Sequence, residues 1–282
     1  MPNYSIYMET QVKSILVPWD FSEHAYYALQ EAVEISKVTN YNIILLHIVA
    51  KQVEETPARA KLEKVVADAE KNWNIKPGYM IKTGSIFNTI SEVAGDPEFA
   101  FAVMKTDGVK GMQRFTGSRA IKIIEGSKIP FIVVQQPPSN HSFRTVLLPI
   151  DYRIENKQVI SYVSSFSKFY QFKLVLMKPQ TNDKIFKKNI ANTVNLAKVL
   201  LESKNIPFEI IAAESKGSYA EQIIECAHKK SCDLIVIQLE KNLTFTKFLF
   251  GVKEQRILAN PYKIPVMCLN PRFELLKYAG FH

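Results

Sequence analysis

The octapeptide KSILVPWD at residues 13–20 returns as RTVLLPID at residues 144–151, with its proline and its aspartate in the same places. Each copy is a short apolar run closed by an acid, the pattern of a buried strand that stops at the rim of a sheet. The landmarks after the first copy recur after the second in the same order. Gly84-Ser85 at a helix start is answered by Gly217-Ser218, and the apolar run ending at Met104 by Asp233-Leu-Ile-Val-Ile237. Lys128-Ile-Pro-Phe-Ile is answered by Lys263-Ile-Pro-Val-Met. An ordered repeat of this kind marks two tandem copies of one fold. The expected division is 1–136 for the first domain, 137–142 for a short stiff linker carrying Pro137-Pro138, 143–270 for the second domain and 271–282 for a tail.

Within the first copy, the strand at 14–19 leads through Asp20 to a helix near Glu23, which Ser22 is placed to cap. Ala25, Ala28, Leu29, Ala32, Val33 and Ile35 give that helix one apolar face. The run YNIILLHIV at 41–49 is too continuously apolar for a half-exposed strand and belongs inside a sheet covered on both sides. A helix is predicted at about 56–72, a strand at 79–82, a helix at 85–93, a strand at 99–103 and a closing strand at 131–134. Strands alternating with helices imply a parallel sheet with helices on both faces, joined by right-handed crossovers.

The chain of 282 residues has material for real cores, because 47% of it is hydrophobic and only 10 residues are Gly. Its net charge of +9 favours anionic ligands. Lysine is spread along the helices without a dense basic block, so nucleic acid is the lesser option beside a solvated surface. Cys226, Cys232 and Cys268 form no metal-ligand spacing, and their odd number suits reduced thiols in the cytoplasm. Cys226 and Cys268 sit in apolar patterns and read as packing residues. No stretch reaches the roughly 20 apolar residues of a membrane span. Membrane insertion is therefore not expected.

Between the apolar strand at 99–103 and the helical pattern at 119–125 lies MKTDGVKGMQRFTGS, residues 104–118. Gly108, Gly111 and Gly117 allow close backbone approach, and the N–H groups at a helix start carry partial positive charge, which together suit a phosphate. Lys105, Lys110, Arg114 and Arg119 add cations against one acid, Asp107. Ordinary turn glycines on a surface loop would read the same way.

These features together resemble a tandem member of the universal stress protein family: strand one ending Pro18-Trp19-Asp20 and Pro149-Ile150-Asp151, the Leu-Leu-His-Ile-Val strand, the Gly-Ser helix starts, the glycine loop and the closing Ile-Pro strand. The resemblance covers about 12–270. It implies two doubly wound α/β domains, each a five-stranded parallel sheet of order 3-2-1-4-5, with a ligand cleft where strands one and four diverge. It also implies pairing of the two closing strands, an intramolecular counterpart of a homodimer. Nucleotide-binding relatives carry Gly, two residues, Gly, nine residues, then Gly-Ser or Gly-Thr, and bind ATP; another branch lacks the motif. Here Lys105 stands at the first glycine, Gly108 at the second, and eight residues separate it from Gly117-Ser118. Lys105 either lends a charge to a phosphate or fills the approach left open by the missing glycine. The second copy has Gln238-Leu-Glu-Lys241, no early glycine, and Gly251-Val252 in place of the final hydroxyl. It is expected not to bind.

The residues implied for an adenine nucleotide are Asp20 at the sugar or base, Ile48 and Val49 beside the adenine, Trp19 as apolar contact, and Lys105, Gly108, Gly117 and Ser118 at the phosphates, with Mg²⁺ an option at Ser118. Asp20 reads equally as a turn cap, since Asp151 is kept in the second copy. His24, His47, His141, His228 and His282 are scattered without a nucleophile or partner acid beside them, so no catalytic group is assigned. His47 reads as a core or cleft-edge residue. The expected function is ATP binding in the first domain; slow ATP hydrolysis and a nucleotide-free scaffold are the alternatives.

Overall fold

A computed structural model describes residues 12–106, 123–139, 143–153, 155–214, 217–239 and 252–270. The first half runs β1 (Ser14–Trp19), α1 (Ala25–Thr39), β2 (Asn42–Val49), α2 (Glu55–Trp73), β3 (Gly78–Thr83), α3 (Ile86–Val93), β4 (Phe99–Lys105) and β5 (Phe131–Val134). The second runs β6 (Thr145–Pro149), α4 (Asn156–Ser165), β7 (Lys173–Lys178), α5 (Lys184–Ser203), β8 (Phe208–Ala212), α6 (Tyr219–Lys229), β9 (Leu234–Gln238), α7 (Val252–Leu258) and β10 (Val266–Leu269). Residues 123–126 form a further helical turn before β5.

The strands form one sheet in the order β3-β2-β1-β4-β5-β10-β9-β6-β7-β8. Each half has the five-stranded order expected from the sequence, and all pairings within a half are parallel. Each half's closing strand ends its own five-stranded order, and the two lie side by side at the centre of the ten-stranded sheet. β5 and β10 pair antiparallel, with Val133 opposite Val266, Ile132 opposite Met267 and Phe131 opposite Cys268. All eight of their side chains are buried. Alternation along the strands divides the core into two layers: Ile15 and Val17 face α1 and α2, whereas Leu16 faces α3 and residues 123–126. Both layers continue through the second half.

Among the described residues, two side chains fasten the join by hydrogen bonds beyond the strand ladder. The Asn270 amide donates to the carbonyls of Ile124, Glu125 (3.1 Å) and Ser127 (3.2 Å), closing the carbonyl end of the 123–126 turn from the opposite half. Gln135 Nε2 donates to the Asn260 carbonyl at 3.2 Å. The buried thiol of Cys268 has its pKa pushed up by desolvation, and that of Cys232 rises to about 12, so both stay protonated as packing groups.

Glu31 is the buried acid on the largely apolar face of α1, at 4% exposure. It borders a cavity of about 210 Å³ shared with Asp233 and Lys263 of the second half. Burial, reinforced by the charge of Glu34, raises its carboxyl to about 7. Below about pH 4.5 the group is protonated whether the chain is folded or not, and it costs nothing. Between there and pH 7 only the unfolded chain gives up the proton, so stability falls as pH rises, and the penalty is complete above that window, at up to about 3 kcal/mol. Glu31→Gln should therefore raise stability by about 2–3 kcal/mol at pH 8.5 and by under about 1 kcal/mol at pH 5, measured by urea unfolding. An equal gain at both pH values would show that the carboxyl does not titrate in this window.

Candidate functional site

The crevice follows from a pairing that stops short. β1 and β4 are bonded only from Ser14 to Leu16, opposite Phe99 to Ala102, and the strands separate beyond that point. On its other side β1 stays paired with β2 along its full length, Trp19 opposite His47. The separation falls where the strand order reverses, at the carboxyl ends, where open α/β sheets bind ligands. β6 and β9 part in the same way after Leu147 and Ile235.

Asp20 stands at this rim and does two things with its two oxygens. Oδ1 accepts from the Ser22 amide (3.0 Å) and the Ser22 hydroxyl (2.6 Å), the local turn expected of an Asp after a strand. That bond takes the Ser22 hydroxyl away from the cap it was expected to provide; α1 starts at Ala25 with no side-chain cap. Oδ2 is buried, has no hydrogen-bond partner among the described residues, and lies 3.7 Å from Lys105 Nζ across the crevice. The side chains of Lys105 and Asp20 are 6% and 16% exposed. Such an acceptor, desolvated and unbonded, suits a ligand hydroxyl or N–H.

The residue after Asp20 bends the chain at some cost. Phe21 has φ 59°, left-handed for a bulky side chain, a conformation worth about 1–3 kcal/mol of strain. Its ring packs 4.6 Å from His47 and 6.4 Å from Trp19, with the Lys61 ammonium 5.5 Å from its centroid. His47 Nδ1 lies 2.8 Å from the Trp19 carbonyl, which can only accept, so this nitrogen carries the proton. His47 is thus a cleft-edge residue bonded to its neighbouring strand. Trp19 is core at 3% exposure, with an indole N–H lacking a partner among the described residues. At the end of β2, Val49 is buried and Ile48 half-buried.

The structure brings Asp20, Trp19, Ile48, Val49 and Lys105 to one end of the sheet. Gly108, Gly117 and Ser118 lie outside the described residues, as do Gly111 and Gly251. Among the described residues no group of three His, Cys, Asp or Glu could hold a metal ion.

The second half answers the same rim with different chemistry. Asp151 Oδ1 accepts from the Arg153 amide (2.8 Å) and the Asn156 amide group (2.6 Å), and Oδ2 pairs with Arg153 Nε at 2.6 Å. Both oxygens are occupied within the turn. Tyr219 places its hydroxyl 3.0 Å from the Ile150 carbonyl and 2.8 Å from that of Met177, covering the ends of β6 and β7. Burial, then the Asp151 charge, pushes its pKa up and keeps the phenol a donor. Gln238 holds the place of Lys105 at the end of β9. A cavity of about 320 Å³ remains beside these groups, with Lys253 and Glu254 on its wall. The occupied aspartate and the tyrosine were not foreseen, although Arg153, and Tyr219 where the first copy has Ile86, were visible signals.

Residues 11–135 match the family model described as the Universal stress protein family. Among solved structures, a universal stress protein from Archaeoglobus fulgidus DSM 4304 aligns over 94% of this chain and 98% of its own, at 17% identity and TM-score 0.71. A protein of unknown function from Pseudomonas aeruginosa PAO1 aligns over 95% of each chain, at 14% identity and TM-score 0.63. These likenesses extend the shared fold over both halves. Comparison of the sequence with curated proteins gives no match.

Removing Asp20 takes away the turn acceptor and leaves the buried Lys105 ammonium without its nearby carboxylate. Asp20→Ala should cost about 2–3 kcal/mol in urea unfolding, and Lys105→Met in that background should restore at least about half of the loss. Costs that simply add would show that the two side chains are not coupled.

Proposed function

We infer that this chain, a universal stress protein in its first half, binds an adenine nucleotide there, with ATP the expected ligand and the second half a structural partner that does not bind. The observation that carries this reading is the asymmetry of the two aspartates. Among the described residues Asp20 keeps one buried oxygen without a hydrogen bond at the strand divergence, whereas Arg153 and Asn156 occupy both oxygens of Asp151. A ribose hydroxyl donating to Asp20 Oδ2 would remove the cost of that orphan acceptor. The base would lie toward Ile48 and Val49, and the phosphates would run to the loop that leaves β4, on the backbone of Gly108 and Gly117 and the hydroxyl of Ser118.

Lys105 points its charge at Asp20 and stays within the crevice wall. In this reading it serves as a fixed positive charge at the loop's root, and the phosphates approach from Gly108 onward. ATP supplies the negative charge that the +9 chain favours, and Mg²⁺ would accompany the phosphates at Ser118. The chain acts by binding; no residue is assigned to turnover. In the second half, Tyr219 stands over the strand ends where a base would lie, which supports its assignment as a structural partner.

Freshly purified protein, denatured and resolved by chromatography and mass, should release about one equivalent of adenine nucleotide per chain. ATP titration calorimetry with Mg²⁺ should give the same stoichiometry. Gly108→Val should abolish binding, because a branched side chain would stand in the phosphate's path, while Gly251→Val should leave affinity unchanged. No released nucleotide and no binding at millimolar ATP would favour the scaffold reading, in which the basic surface recruits an acidic protein. ATP turnover that disappears in Asp20→Ala while binding persists would instead make the first half a slow ATPase.

A further inference from the structure

A cavity of about 640 Å³ opens at the other end of the sheet, by the amino ends of β1, β4 and β5, where the first half meets the turn after α4 of the second. Its size falls within the range of small-molecule sites, and it lies between the two halves, a common place for them. Four aromatic residues form much of its wall. Tyr41 lies 6.3 Å from Phe101 and 5.6 Å from Phe169 between ring centroids, and Phe101 lies 6.3 Å from Phe166. The rings come from both halves and are tilted or edge-on to one another.

The polar part of the lining is mostly cationic. Among the described residues, Lys13, Lys128 and Lys168 reach it from three separate segments, against one acid, Asp96, whose Oδ1 already accepts from the Glu98 amide at 3.0 Å. Lys168 holds its ammonium 4.8 Å from the Phe169 ring centroid, and Lys13 donates to the Pro97 carbonyl. Burial pushes the phenol pKa values of Tyr41 and Tyr162 up, so both remain donors at neutral pH. Inorganic phosphate would gain little from aromatic walls, and a neutral hydrocarbon would gain nothing from the ammonium groups of Lys128 and Lys168. A molecule with an apolar body and one anionic end uses both.

We propose that this cavity between the halves binds an apolar carboxylate, a fatty or aryl acid whose body lies among Tyr41, Phe101, Phe166 and Phe169 and whose carboxylate meets the lysines. The site is separate from the nucleotide crevice, which lies at the opposite ends of the same strands.

Titration calorimetry of the full chain with sodium decanoate should show one saturable site, at least about fivefold tighter than decan-1-ol and unchanged by saturating ATP. Ser165→Trp, which places an indole in the cavity, should weaken decanoate at least about tenfold. Lys168→Glu, at an exposed position, should weaken it about three- to tenfold. Absence of saturable binding at millimolar decanoate would overturn the proposal, as would equal affinity for the alcohol, indifference to both substitutions, or displacement by ATP.

Discussion

The antiparallel pairing of β5 with β10 is the constraint on which the molecule depends. A parallel five-stranded sheet of this order would leave its closing strand with a free edge, and a free apolar edge recruits other strands. Here each half covers the other's edge. The pairing carries both core layers through the join, so the two halves are packed on one sheet and fastened by Asn270 and Gln135 across it. The cavity with its lysine rim and the pocket beside Glu31 exist only because of this docking.

Topology then decides where chemistry is possible. β1 lies between β2, which holds it to its last residue, and β4, which releases it after three pairs. The released ends give Asp20 and Lys105 a rim at which side chains converge without neighbouring strands to fill the space. The same release occurs at β6 and β9, so both halves inherit the crevice. What separates them is the occupancy of the rim. Asp20 shares its carboxylate between a turn and the crevice, with Phe21 held in a left-handed bend beside it. Asp151 is taken up by its own turn, and Tyr219 bonds the carbonyls at the strand ends. Duplication supplied two crevices, and a few side chains gave them different capacities.

The same economy explains the buried polar groups. Where a strand end would leave a carbonyl unpaired, a side chain reaches it: His47 at Trp19 in the first half, Tyr219 at Ile150 in the second. Glu31 departs from this rule, since it is buried beside Glu34 with its proton retained up to about pH 7. The join therefore contains a carboxyl whose ionisation opposes folding, at a contact the rest of the core favours.

The sequence by itself determined the tandem repeat, the alternation of strands and helices and the rim position of Asp20. These are local patterns, an octapeptide returning at a fixed place among other landmarks and a polarity period that matches helix or strand. It also marked Lys105 as the departure from the glycine loop, because identity at one position needs no coordinates. The two uses of the Asp20 carboxylate could not be divided from residue order, since a turn bond and a vacant acceptor require the same residue type. Tertiary structure decided that, by placing Ser22 on one oxygen and Lys105 opposite the other. It also decided the antiparallel register of the closing strands, and that Tyr41, Phe101, Phe166 and Phe169, scattered along the chain, share one cavity wall. Contacts between distant segments depend on how two halves dock, and no period or motif in either half encodes the partner's register.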